Sequence, residues 1–357
     1  MIHSFIVKAK DLLRPARDEV PSLIKIKAEL HLLKKLQFST RQLDEKQAIA
    51  RQRHIQALDE LLVAYLCHDF INLFSAEAPS EDMGNIHLLD THHWVLQDLK
   101  SPTYRAMNYK HLPHTMLRLI KLSRDTNDSH SLCQKFALSM TTQQEVTIMA
   151  NQAPFTHNQL LADFNAVKEL PFHLFCAIIC ATLLHQHCLK QDAPELEKTL
   201  FNHGLRNGFI SLLRIQNATA QSHRQPEPIK VFIASILPFI SLIYITRELR
   251  NTCANCHHLP LQAQLLHEIT DMLPKLTYWI AKDWGLSDDL LVSLKDCFIP
   301  TSDTLPIKQH VRISNHANLA IMLYQTHLFS HKQVVDLLDS MGIKSQVLLA
   351  QMCPTTH

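Results

Sequence analysis

Apolar residues recur at three- and four-residue spacing along most of this chain, the period that places one stripe on one face of an α-helix. Leu23, Ile26, Leu30, Leu33 and Leu32 or Leu36 form one such stripe, and Leu43, Ile49, Ile55, Leu58, Leu62 and Tyr65 form another running toward Phe74. Helical patterns follow in LPHTMLRLIKL from Leu112, in SLCQKFALSMTTQQEVTIMANQAPF, and in the apolar stretch Leu170 to Leu184. The most apolar run is VFIASILPFISLIYI, Val231 to Ile245, fifteen residues without a charge and with Pro238 at its centre. A membrane span needs about 20 apolar residues, so a short run with a proline inside predicts a buried core helix; a membrane hairpin with Leu170 to Leu184 is the weaker alternative. WGLSDDLLVSL from Trp284 opens a further helix. Ala317, Ala320, Ile321, Leu323 and Tyr324 predict one over 313 to 329, and Val334, Val335, Leu337 and Leu338 one over 331 to 341, with Gly342 as its C-cap.

Breaks between these patterns set the organisation. Pro15 and Pro21 interrupt the first segment, Ser75 to Gly84 reads as a loop, Ser101 and Pro102 mark a boundary, and a loop containing Pro306 follows Pro300. The expected division is an N-terminal helical region, 1–100, a central helical domain, 101–300, and a C-terminal helical appendage, 301–357. No internal repeat or low-complexity segment stands out.

Composition agrees with an all-α protein. Only 5 glycines occur in 357 residues, too few for a turn-rich β fold or a Gly-rich phosphate loop. Charge is nearly balanced, 35 basic against 33 acidic residues, so neither nucleic acid nor an anionic membrane is expected as a partner. The balance is uneven locally: residues 1–53 hold 12 basic and 6 acidic side chains, residues 54–100 hold 1 and 8. The basic half reads as a solvated face ahead of a nucleic-acid surface, because acids are interspersed in it. MIHSFIVKAKDLL has no long apolar core or small-residue cleavage site, and Cys176, Cys180 and Cys188 lie in or beside apolar helix, so reduced thiols and a cytoplasmic address are expected.

The 24 histidines invite a metal reading, but most stand alone, whereas ligation needs convergent partners. THHW, Thr91 to Trp94, puts two histidines side by side, about 100° apart on a helix, facing different ways. His267, Glu268 and Asp271 make H-E-x-x-D, one residue from the metalloprotease pattern, with no third ligand downstream and Pro274 close behind. CANCHH, Cys253 to His258, contains the Cys-x-x-Cys-His of c-type haem attachment. Its alternatives are a zinc or redox site built from Cys253, Cys256, His257 and His258, or a polar interhelical turn, which is the simplest reading because four ligands within six residues are cramped.

From Leu112-Pro113 through the Ala150-Asn151 pair, the apolar helix at Val231 and the Trp284 helix start, the order of landmarks resembles the HDOD domain over roughly residues 105 to 300. That family is a helical relative of the metal-dependent HD phosphohydrolases, found in bacterial signalling proteins. In metal-keeping relatives a His-Asp doublet binds the ion, which lowers the pKa of its water. Here the resemblance places Pro238 and Phe239 at that doublet, which cannot coordinate. It retains His203 in LFNHGL, with Gly204 in place of a small hydroxyl residue, and puts Leu273, Asp296 and Cys297 where further histidines would stand.

The expectation is therefore a non-enzymatic regulatory protein that has lost its metal site, with no catalytic, cofactor-binding or metal-ligating residue assigned, acting through a partner protein or a small nucleotide. The alternatives are an active HD-type phosphohydrolase with a relocated site, and a metal or haem protein through Cys253, Cys256 and His257.

Overall fold

A computed structural model describes residues 97–109, 111–126, 128–153, 160–189, 192–218, 227–253, 262–295, 306–325 and 330–341, with single positions at 343, 345, 348 and 349. Among the described residues regular structure is helical, without strands. After a helical turn at 97–100 come α1 (Pro102–Asn108), α2 (His114–Asp125), α3 (Ser129–Lys135) and α4 (Met140–Gln152). Then follow α5 (Phe164–Lys168), α6 (Phe172–Cys188), α7 (Glu195–Ala218) and α8 (Pro228–Cys253). The last four are α9 (Gln262–Asp283), α10 (Asp288–Lys295), α11 (Pro306–Gln325) and α12 (His331–Ser340).

Local sequence explains where these helices begin. Ser101, Asp128, Ser139 and Asp163 stand at N-caps, where their side-chain oxygens accept from backbone N–H groups three residues on. Proline precedes α2 and α6 and opens α11. The last is a correction: Pro306 was expected in a loop and the helix near 313, yet the helix starts at Pro306, because a fixed φ and a missing N–H are harmless in a first turn. The α9 helix ends at Trp284-Gly285. Gly285 has φ 67, and Leu286 N–H donates to Ala281 O at 3.1 Å, a turn back on the helix end that requires the left-handed conformation.

The centre of the molecule is α8. It packs against α7, its most extensive neighbour, and against α6, α9, α10, α11 and α2. Every residue from Val231 to Ile245 is buried. Pro238 does not interrupt it; the helix runs unbroken for 26 residues, so its length and hydropathy would allow it to cross a membrane. The protein itself surrounds it, as expected of a helix that is apolar all round. Its polar residues turn inward on the backbone: Ser235, Ser241 and Thr246 hydroxyls donate to the carbonyls of Val231, Leu237 and Leu242.

The α7–α8 contact is close because α7 presents glycine to it. A Cβ on Gly204 would lie 2.9 Å from Phe239 Cβ, and one on Gly208 2.7 Å from Phe232 Cε2. Both glycines are one helical turn apart on one face, and the phenyl groups of α8 lie on the bare backbone there. Asn151, in the expected Ala-Asn pair, clasps a neighbouring segment: Leu161 N–H donates to its Oδ1 at 2.8 Å, and its Nδ2 donates to Leu161 O at 3.0 Å.

Candidate functional site

His203-Gly204 and Pro238-Phe239, singled out in the sequence by their resemblance to the HD-type pattern, meet between α7 and α8. Pro238 and Phe239 lie within the buried core, and the phenyl group sits against Gly204, next to His203. Leu273, on α9, is buried among apolar neighbours. His203 is partly buried, its Nδ1 has no hydrogen-bond partner, and burial, with the Arg206 charge second, pulls its pKa down to about 4. The imidazole is therefore neutral at physiological pH. Among the described residues no group of three or more His, Cys, Asp or Glu is arranged to hold a metal ion.

The other motifs lie mostly beyond view. Thr91 to Trp94, Cys256 to His258, Asp296, Cys297 and Gly342 fall outside the described residues, as do the side chains of Cys253, His267, Glu268 and Asp271. Of the cysteines that are described, Cys176, Cys180 and Cys188 are free and buried. Burial pushes the Cys176 and Cys188 thiols up to about 12 and Cys180 well above its ordinary value, so all three are protonated and unreactive at neutral pH.

Two polar groupings escaped the sequence reading. The first ties the start of the described chain to the ends of α8 and α9. Arg105 donates from Nε to Asp283 at 2.6 Å and from Nη1 to the carbonyls of Leu99 and Lys100, and its guanidinium lies 5.0 Å from the Trp279 ring centre. Tyr104 Oη donates to Glu248 at 2.6 Å, and Tyr109 stacks on Tyr244 at 4.3 Å. Burial, then the Glu248 carboxylate, raises both the Tyr104 and the Tyr109 phenol. Beside them Arg247 pairs with Glu197 at 2.6 Å and donates to Cys188 O.

The second grouping is a ladder between α7 and α11, which run antiparallel. Arg214 Nη1 lies 3.0 Å from His310 Nδ1. Asn207 Nδ2 donates to Asn315 Oδ1 at 2.5 Å and to Ser235 O at 2.8 Å. Asn318 Nδ2 reaches His203 O at 3.4 Å, and Arg206 Nη1 donates to Gln325 Oε1 at 2.7 Å. Asn207 and Asn318 are fully buried, and the Oδ1 of each has no protein partner. These asparagines gave no signal in the sequence, because an isolated amide in a helix reads as surface.

No family model and no curated protein matches the chain. Two solved structures are similar in backbone. One is a Shewanella amazonensis protein provisionally assigned as a metal-dependent phosphohydrolase, at 12% identity and TM-score 0.48, over 74% of this chain and 99% of that one. The other is a Marinobacter aquaeolei protein provisionally assigned to signal transduction, at 12% identity and TM-score 0.45, over 78% of this chain and 68% of that one.

Proposed function

We propose that this chain is a non-enzymatic regulatory protein of bacterial signal transduction, built on an HDOD-like domain over residues 101–300 and acting in the cytoplasm by binding a partner protein or a small nucleotide. The observation that carries this reading is the contact between Gly204 and Phe239. The phenyl side chain standing at the doublet position packs where a Cβ on Gly204 would come within 2.9 Å of it, so the two departures from the metal-keeping pattern fit each other. A single histidine beside Arg206 is a poor start for a cation site: its neutral imidazole has the form that ligates, but a divalent ion needs three or four protein ligands and is repelled by a neighbouring cation. The region 1–100 and the appendage 301–357 flank the domain in this reading.

The test is hydrolysis of bis(p-nitrophenyl) phosphate by the full-length protein with added Mn²⁺. We expect the protein-free rate. Turnover that depends on Mn²⁺ and disappears in His203→Ala would overturn the reading.

A further inference from the structure

The α7–α11 ladder is cationic as well as polar. In α11, PIKQHVRISNHANLAIMLYQ, no acidic residue occurs among twenty. In α7 the acidic residues are Glu195 and Glu197 in the first turn, and Glu197 is bound to Arg247. Arg214 stands on α7 remote from that turn. Its Nη1 points at His310 Nδ1, and a guanidinium has only N–H donors, so this ring nitrogen must offer its lone pair and the imidazole is neutral. An arginine and a histidine thus meet with no carboxylate joining them among the described residues. Burial alone pulls the arginine's pKa down, to about 10, and no acid offsets it. The guanidinium fork has four further N–H donors, and its planar geometry suits the paired oxygens of a phosphoryl group.

We infer that Arg214 and His310 form an anion site for a phosphoryl group, carried by a small molecule that docks at the α7–α11 seam. This rests on the reading of the chain as a binding protein and names the chemistry it would bind. The phosphoryl oxygens accept from the Arg214 N–H groups that His310 does not engage, and the His310 contact at Nη1 fixes the fork before the ligand arrives. A free phosphate or the phosphate of a nucleotide would satisfy the same donors.

The experiment uses full-length protein and two probes, inorganic phosphate and guanosine monophosphate, in buffers of matched ionic strength. In the wild-type chain, 20 mM phosphate should raise Tm by about 3 °C over chloride, and Arg214→Gln should lose that rise. Modification of the wild-type chain by phenylglyoxal, read by peptide mass spectrometry, keeps the test independent of any variant's folding. Phosphate should slow labelling of Arg214 several-fold and leave exposed Arg118 unchanged. Protection by the nucleotide at tenfold lower concentration identifies a nucleotide as the source, and equal protection identifies free phosphate. Equal labelling of Arg214 with and without both probes, or the same Tm rise in Arg214→Gln, overturns the site. Neither result bears on Mn²⁺-dependent turnover, which decides the non-enzymatic reading separately.

Discussion

His203 and His310 each lie beside an arginine and are held neutral, chiefly by burial, with pKa near 4 against an ordinary 6.5. The unfolded chain therefore binds more protons than the folded one between those values. Stability is fully present above pH 6.5 and is lost as pH falls toward 4. At pH 5 His203 should account for a loss of about 2 kcal/mol relative to pH 7.5, and His310, which is more open to solvent, for less. Urea midpoints at the two pH values should separate more widely in the wild-type protein than in His203→Gln, and parallel midpoints would count against it. At this scale the sequence singled out His203, Gly204 and the Pro238-Phe239 doublet but could not show that Phe239 packs on Gly204 or that His203 is partly buried. A histidine's titration depends on how the fold buries it, and the side chain that packs on Gly204 comes from a different helix. Asn207, Asn315 and Asn318 were invisible for the same reason.

Among elements, α8 was the most legible and the least regular in chemistry. Fifteen uncharged residues predicted a buried helix, and Pro238 at its centre does not break it. A proline removes one backbone donor and crowds the carbonyl four residues earlier, at a cost of about 3 kcal/mol in a helix interior. Here packing on every side holds the helix continuous. The glycines of α7 are the counterpart. Gly208→Ala would drive a Cβ to 2.7 Å from Phe232 Cε2 and should destabilise the protein by about 1–3 kcal/mol, measured by urea unfolding. Gly204→Ala and Phe239→Ala should each destabilise, the second by about 3–5 kcal/mol, but the double variant by at least about 1 kcal/mol less than their sum. The new methyl group occupies part of the space the phenyl group leaves. Additive losses would mean that the two residues pack independently, and the compensation argument would fall with them.

For the molecule as a whole, periodicity and composition made the all-α class readable, whereas the contacts that close the fold were not. Arg105 and Asp283 are 178 positions apart, and Tyr104 and Glu248 are 144 apart. Neither pair is marked by a motif or spacing in the sequence. In the folded chain Arg105 is the buried residue of α1, and that short helix is fastened to the ends of α8 and α9 through it and its neighbours. Its guanidinium serves one carboxylate, two carbonyls and one indole face, so the flat fork matters as much as the charge. Arg105→Ala leaves Leu99 and Lys100 carbonyls without their donor and removes the cation from Asp283. Because Asp283 keeps 30% of its side chain exposed and can rehydrate, the loss should fall below that of a fully buried pair, at about 2–3 kcal/mol. Arg105→Lys keeps the charge but not the three-way bonding, and should recover less than half of it. Hydrogen exchange locates the effect: amides of α1 and the C-terminal turn of α9 should lose protection, while those of α8 between Val231 and Ile245 change only by the global shift in stability. Wild-type protection at α1 in Arg105→Ala would show that Leu99 and Tyr109, buried on either side of it, hold the segment without the arginine.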